Sequence, residues 1–189
     1  MTTPTKKNSK RTMLILATAF IVPVLLAKLA LEYKWFNNSA TNKGELISPA
    51  LDMRPLDAST AEKKWQLIYL LPADCEASCE NALYSLAQVW TALGRERDRV
   101  EPLVIVTELS DQQQLDTLSE QSTIRVFTSE LRLVNQVFQD TQTDGIFIGD
   151  TLSNVILRYA PQNETEQAVL HSRDILRDMK KLLKLSRIG

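Results

Sequence analysis

Apolar positions along this chain change their spacing from segment to segment, and each spacing predicts an element. "MLILATAFIVPVLLAKLAL" (Met13 to Leu31) is almost wholly apolar and long enough to cross a bilayer, with Thr18, Pro23 and Lys28 as its only interruptions. From about Leu46 the pattern becomes periodic. "WQLIYLL" (Trp65 to Leu71) is a continuous run of strand-forming residues, as expected for a strand buried on both faces, and Pro72 ends it.

"ENALYSLAQVWTALG" then places Leu83, Leu86, Ala87, Trp90 and Leu93 at helical spacing, with Gly94 as a stop. A second strand is centred on Leu103 to Thr107. "SDQQQLDTLSEQ" predicts a helix with Leu115 and Leu118 inward, "IRVFT" a short strand, and "SELRLVNQVFQD" a helix capped by Ser129. "GIFIGDTLSNVILRYA" is a hairpin around a polar turn at Asp150 to Asn154. The last element, "ETEQAVLHSRDILRDMKKLLKL", is a long amphipathic helix with Leu170, Ile175, Leu176, Met179, Leu182 and Leu183 on or near one face.

Two strands joined by a helix of this length should be parallel. With the hairpin and the closing helix added, the expected fold is α/β: a thioredoxin-like mixed sheet flanked by helices, preceded by one N-terminal transmembrane helix. The expected organisation is a cytoplasmic tail (1–12), a membrane anchor (13–31), a polar tether (32–43) and an exported domain (44–189).

Charge supports that division. Four cations, Lys6, Lys7, Lys10 and Arg11, precede the apolar run with no acid among them, so the N-terminus should stay cytoplasmic. In a bacterium the chain would then be a single-pass inner-membrane protein with its domain in the periplasm. Of 22 Lys and Arg, seven precede Gly44, and of 23 acids only Glu32 does; 15 cations against 22 acids leave the rest near −7. That balance argues against nucleic acid as a partner.

Both cysteines lie in "LLPADCEASCEN". Cys75 and Cys79 are four apart at a predicted helix N-terminus, so they can converge on one ligand or form a disulfide. Free helix-end amides favour thiolate there, while Asp74, Glu76 and Glu80 oppose it. Two thiolates suit a soft cation such as Cu(I), whereas a structural zinc site wants four ligands and the chain adds only one histidine, His171. The isolated glycines form no phosphate-binding loop, and a single histidine without a nucleophile elbow speaks against a Ser/His/Asp hydrolase.

An N-terminal anchor, an exported thioredoxin-like domain and a CxxxC between strand and helix together resemble the Sco/SenC family of cytochrome c oxidase assembly. The likeness runs from roughly Gly44 to Lys184: "GELISPALDM" resembles that family's leading segment, "WQLIYLLPADCEASCENAL" its motif region and "GIFIGDTLSNVILRY" its late hairpin. The resemblance implies Cu(I) handling or thiol reduction by Cys75 and Cys79, with an oxidase subunit or another assembly factor as partner. It also implies a histidine from the loop before the hairpin, where "FQDTQTDGIF" has none, and thioredoxins place a proline where Asp144 and Gly145 stand. The alternative is a non-catalytic interaction module whose disulfide is structural.

Overall fold

The computed structural model describes residues 9–32, 42–56, 58, 63–120, 122–139 and 141–186. The start of the expected tail and most of the expected tether lie outside the described residues. By contacts the chain divides into two units, one ending at Thr41 and one beginning at Asn42.

In the first unit, helix α1 (Ser9–Glu32) contains a stretch, Lys10–Ala30, long and apolar enough to cross a membrane. Its large apolar side chains are exposed, as a lipid-facing helix requires. Thr18 satisfies its hydroxyl within the helix, donating to the Leu14 and Ile15 carbonyls at 2.9 and 3.0 Å. Pro23 lies inside the helix without ending it.

The second unit is built on a six-stranded sheet: β1 (Glu45–Asp52), β2 (Trp65–Leu70), β3 (Val100–Val106), β4 (Arg125–Thr128), β5 (Ile146–Gly149) and β6 (Asn154–Tyr159). The strand order is β1-β6-β5-β2-β3-β4, with β2, β3 and β4 parallel and the β2/β5, β5/β6 and β6/β1 pairs antiparallel. The expected thioredoxin-like mixed sheet is therefore what the chain forms. β2 sits inside it, paired on both sides, which is why its side chains from Trp65 to Tyr69 are all buried.

Helices α2 (Ala77–Ala92) and α5 (Thr165–Leu185) cover one face, joining Leu67, Tyr69, Val104 and Leu157 in one apolar cluster with Leu86 and Met179. Helix α4 (Leu131–Phe138) covers the other, where Phe138 meets Phe147 edge-on at 5.3 Å. Helix α3 (Gln112–Ser119) adds Leu118 to the first cluster. Gly94 ends α2 at φ +61° with open space around it, the left-handed stop expected there.

The sequence reading and the structure part in three places. The sequence pattern does not mark β1 as a strand: most of its side chains are exposed, so it carries no period-two signal, and it contains Pro49. As an edge strand paired only with β6 it tolerates that proline, and its register shifts between Leu46 and Leu51. Ser129 does not cap α4. Its amide donates to Val106 O, Glu130 occupies the cap position, and Glu108 reaches across to accept the Leu131 amide at 3.2 Å. Leu170 is exposed rather than packed, because it lies on the outward side of its helix.

Candidate thiol–disulfide site

Strand β2 delivers the chain to the site. The Leu71 amide still donates to Ile105 O of β3, and Pro72 then leaves the ladder. Residues 73–76 form a short loop, and α2 starts without a side-chain cap on Glu76, whose carbonyl accepts the Cys79 and Glu80 amides. Cys75 and Cys79 lie on the two sides of this helix start, their Cα atoms 5.2 Å apart, and their sulfurs are joined in a disulfide. The two sulfurs differ in exposure. Cys79 is 1% exposed inside the α2/α5 cluster, while Cys75 is half-buried at its margin.

The loop between β3 and α3 holds this segment from outside. Ser110 Oγ donates to Leu71 O at 2.8 Å, and the Asp111 amide donates to Pro72 O at 2.8 Å. The Asp111 carboxylate divides its oxygens: Oδ1 accepts the Gln114 amide, capping α3, and Oδ2 accepts the Cys75 amide, both at 3.0 Å. Those amide donors, Gln114 first and Cys75 second, hold the Asp111 carboxyl below its usual range. Asp111 is the site residue that sequence reasoning missed. Its place before a glutamine-rich helix marks it as a cap, but nothing local shows where its second oxygen goes.

A cleft of about 410 Å³ opens beside the loop before α2, and among the described residues neither cysteine lines it. Asp74, Glu76 and Ser78, which alternate with the cysteines, form part of its wall, and Pro72, Ala73 and Leu109 give it an exposed apolar surface. Thr143, Asp144 and Gly145 of the loop before the hairpin also line it. Gly145 has φ +114°, and a Cβ there would collide with the Tyr159 carbonyl. Asp144 is engaged by the buried Arg158, whose Nη2 donates to its carboxylate at 2.8 Å and whose Nε donates to its carbonyl at 3.0 Å. Burial, with the nearby Asp144 charge, pushes the Tyr69 hydroxyl up to about 12, so it stays protonated in the cleft wall.

His171 is elsewhere. It is half-buried on α5 with its ring edge-on to Tyr159 at 5.7 Å, facing a small gap lined by Asn81, Ala82 and Ser85. Burial lowers its pKa, partly offset by Asp174. Among the described residues no three His, Cys, Asp or Glu side chains converge to hold a metal. Were the bond reduced, the two sulfurs would be the donors on offer to a soft cation, and among the described residues no third ligand of those types joins them.

Residues 65–186, well over half the chain, match the family described as transmembrane-like, thioredoxin-like, C-terminal domain. The chain belongs to that family. No curated protein matches it by sequence. Among solved structures, the chain is similar to apo Sco1 from Thermus thermophilus at 13% identity and TM-score 0.52, over 75% of this chain and 97% of that one. It is also similar to copper-bound ScoI from Arabidopsis thaliana (14%, TM-score 0.47, 73% and 98%) and to the thioredoxin domain of a Bacteroides vulgatus thiol-disulfide oxidoreductase (13%, TM-score 0.47, 65% and 81%). Likeness at this identity shows the fold. For this member of the transmembrane-like, thioredoxin-like family, the chemistry rests on its own residues.

Proposed function

We propose that this chain is a membrane-tethered thiol-disulfide protein of respiratory oxidase assembly, with Cys75 and Cys79 as its redox pair and Cu(I) as a cargo of the reduced form. The observation that carries the reading is the asymmetry of the pair: a half-buried Cys75 and a buried Cys79, joined at a helix N-terminus, with Asp74 and Glu76, the neighbours of Cys75, on the wall of an open cleft. An incoming thiolate can reach only the outer sulfur readily, and the inner one is then the leaving group. Free amides at the start of α2 favour the thiolates that reduction produces.

The remaining assignments follow the sequence. Residues 13–31 anchor the chain in a bacterial inner membrane with the tail inside, and residues 32–43 tether the domain in the periplasm, a compartment where disulfides persist. The partner is an oxidase subunit or a second assembly factor, a role suggested by the resemblance to Sco proteins.

A redox titration of the full chain in neutral detergent tests the reading. A reduction potential near those of cellular exchange proteins supports turnover, and a value well below about −300 mV overturns it in favour of a structural staple. The burial of Cys79 and the Asp111 bond to the Cys75 amide favour that second reading, a non-catalytic interaction module. For the cargo, Cu(I) titration of the reduced chain against a chromophoric chelator should show one equivalent lost in Cys75→Ala. Equal, weak binding by wild type and variant would remove copper from the proposal.

A further inference from the structure

An incoming client brings a negatively charged sulfur to a site already rich in negative charge. Asp74 and Glu76 are the covalent neighbours of Cys75, so both backbones lie one Cα step, about 3.8 Å, from it. Both are exposed, both line the cleft, and among the described residues no cation pairs with either. Asp144 adds a third carboxylate to the wall, already engaged by Arg158. Asp111 accepts the Cys75 amide at 3.0 Å, so a further carboxylate sits against the backbone of that residue. Among the described residues no lysine or arginine lines the cleft.

We infer that the cleft selects cysteine-bearing client segments that supply their own positive charge: extended peptide with Lys or Arg beside the reacting cysteine and apolar residues to cover the exposed Pro72, Ala73 and Leu109. The inference rests on the thiol-exchange reading and names its client class. The client's cation neutralises Asp74 and Glu76 as its thiolate enters, so the charge that the site lacks arrives with the substrate.

The exchange balances without any further reagent. A client thiolate attacks Sγ of Cys75, forming a client–Cys75 disulfide and breaking the Cys75–Cys79 bond. Cys79 leaves as thiolate and takes a proton from solvent. The second client thiol, losing its proton to solvent, attacks the client sulfur of the mixed disulfide and releases Cys75, which is protonated in turn. The client dithiol has lost two electrons and two protons, and the pair has gained both. The reverse reaction crosses the same mixed disulfide and carries the same charge preference.

The test uses the full chain in neutral detergent and two end-blocked dithiol peptides of matched apolar content and matched reduction potential, one with arginines and one with glutamates flanking its cysteines. At about 10 mM ionic strength the basic peptide should open the disulfide roughly tenfold faster or more. At about 0.5 M salt the gap should fall to within about twofold, since screening shortens the reach of the carboxylates. Asp74→Asn combined with Glu76→Gln should narrow the low-salt ratio to about threefold or less. Equal rates, a preference for the acidic peptide, a ratio insensitive to both salt and the double variant, or reaction with dithiothreitol but with neither peptide would each overturn the inference and leave the exchange reading standing. A disulfide that also resists dithiothreitol overturns the exchange reading itself.

Discussion

Opening the Cys75–Cys79 bond should cost the fold little, and the reason is the size of the ring it closes. The two residues are only four apart in sequence, so in the unfolded chain the bond ties off about the smallest loop it can. With about five residues in the loop, the chain-entropy relation gives roughly 7 cal/mol/K, or about 2 kcal/mol at 25 °C, against about 4.7 for a hundred-residue loop. Linkage turns the same quantity into a potential: at 30 mV per 1.4 kcal/mol, the folded pair should sit about 45 mV below the same dithiol in an unfolded peptide.

Both arms can be measured. Urea unfolding of the full chain in detergent, oxidised and reduced by a phosphine, can be followed through the fluorescence of the buried Trp65 and half-buried Trp90. Glutathione titration of the chain and of a peptide spanning residues 72–81 gives the potential difference. The expected pair of results is a loss of about 2 kcal/mol and a gap of about 45 mV. A loss of 4 kcal/mol or more, with a correspondingly larger gap, would make the bond a structural staple and refute the reasoning.

Further outcomes follow from other contacts. Thr143→His, which places an imidazole on the cleft wall, should raise the Cu(I) affinity of the reduced chain about tenfold or more in a chelator competition, whereas Thr143→Ala should not. Asp178, 1% exposed, accepts the Tyr159 hydroxyl at 2.9 Å and the amides of Lys43 and Gly44, so Asp178→Ala should cost about 3 kcal/mol or more and Tyr159→Phe about 1–2 in urea melts. Gly145→Ala should cost about 1–3 kcal/mol, because alanine strains at φ +114° and its Cβ meets the Tyr159 carbonyl. The depressed Asp111 carboxyl contributes stability that is fully present above its unfolded pKa near 4 and is lost as pH falls through its lower folded value. Acid unfolding curves should therefore be flatter in Asp111→Asn below about pH 4.

Much of the fold was legible because burial imposes a period. β2 is buried on both faces and reads as an unbroken apolar run, α2 repeats its core residues at helical spacing, and the β5/β6 hairpin announces its turn. β1 is exposed along most of its length and carries no such signal; its pairing with β6 is decided by the sheet. The site was legible at Cys75 and Cys79, where two rare residues share one helix start. It was not legible at Asp111, which lies 36 positions from Cys75 and meets it only because β2 and β3 run side by side. Ser129 shows the same limit from the other side: a good local cap was passed over because a distant carboxylate, Glu108, took the donor.

The three bonds from the β3–α3 loop, to Leu71, Pro72 and Cys75, act as a splint along the approach to the pair. None of them depends on the bond between the sulfurs. When that bond opens, the outer cysteine should therefore keep its backbone position. On the proposed exchange reading, the oxidised and reduced forms should differ by little more than the sulfur–sulfur bond and the first turn of α2, a small reorganisation that amide chemical shifts of the two forms would check.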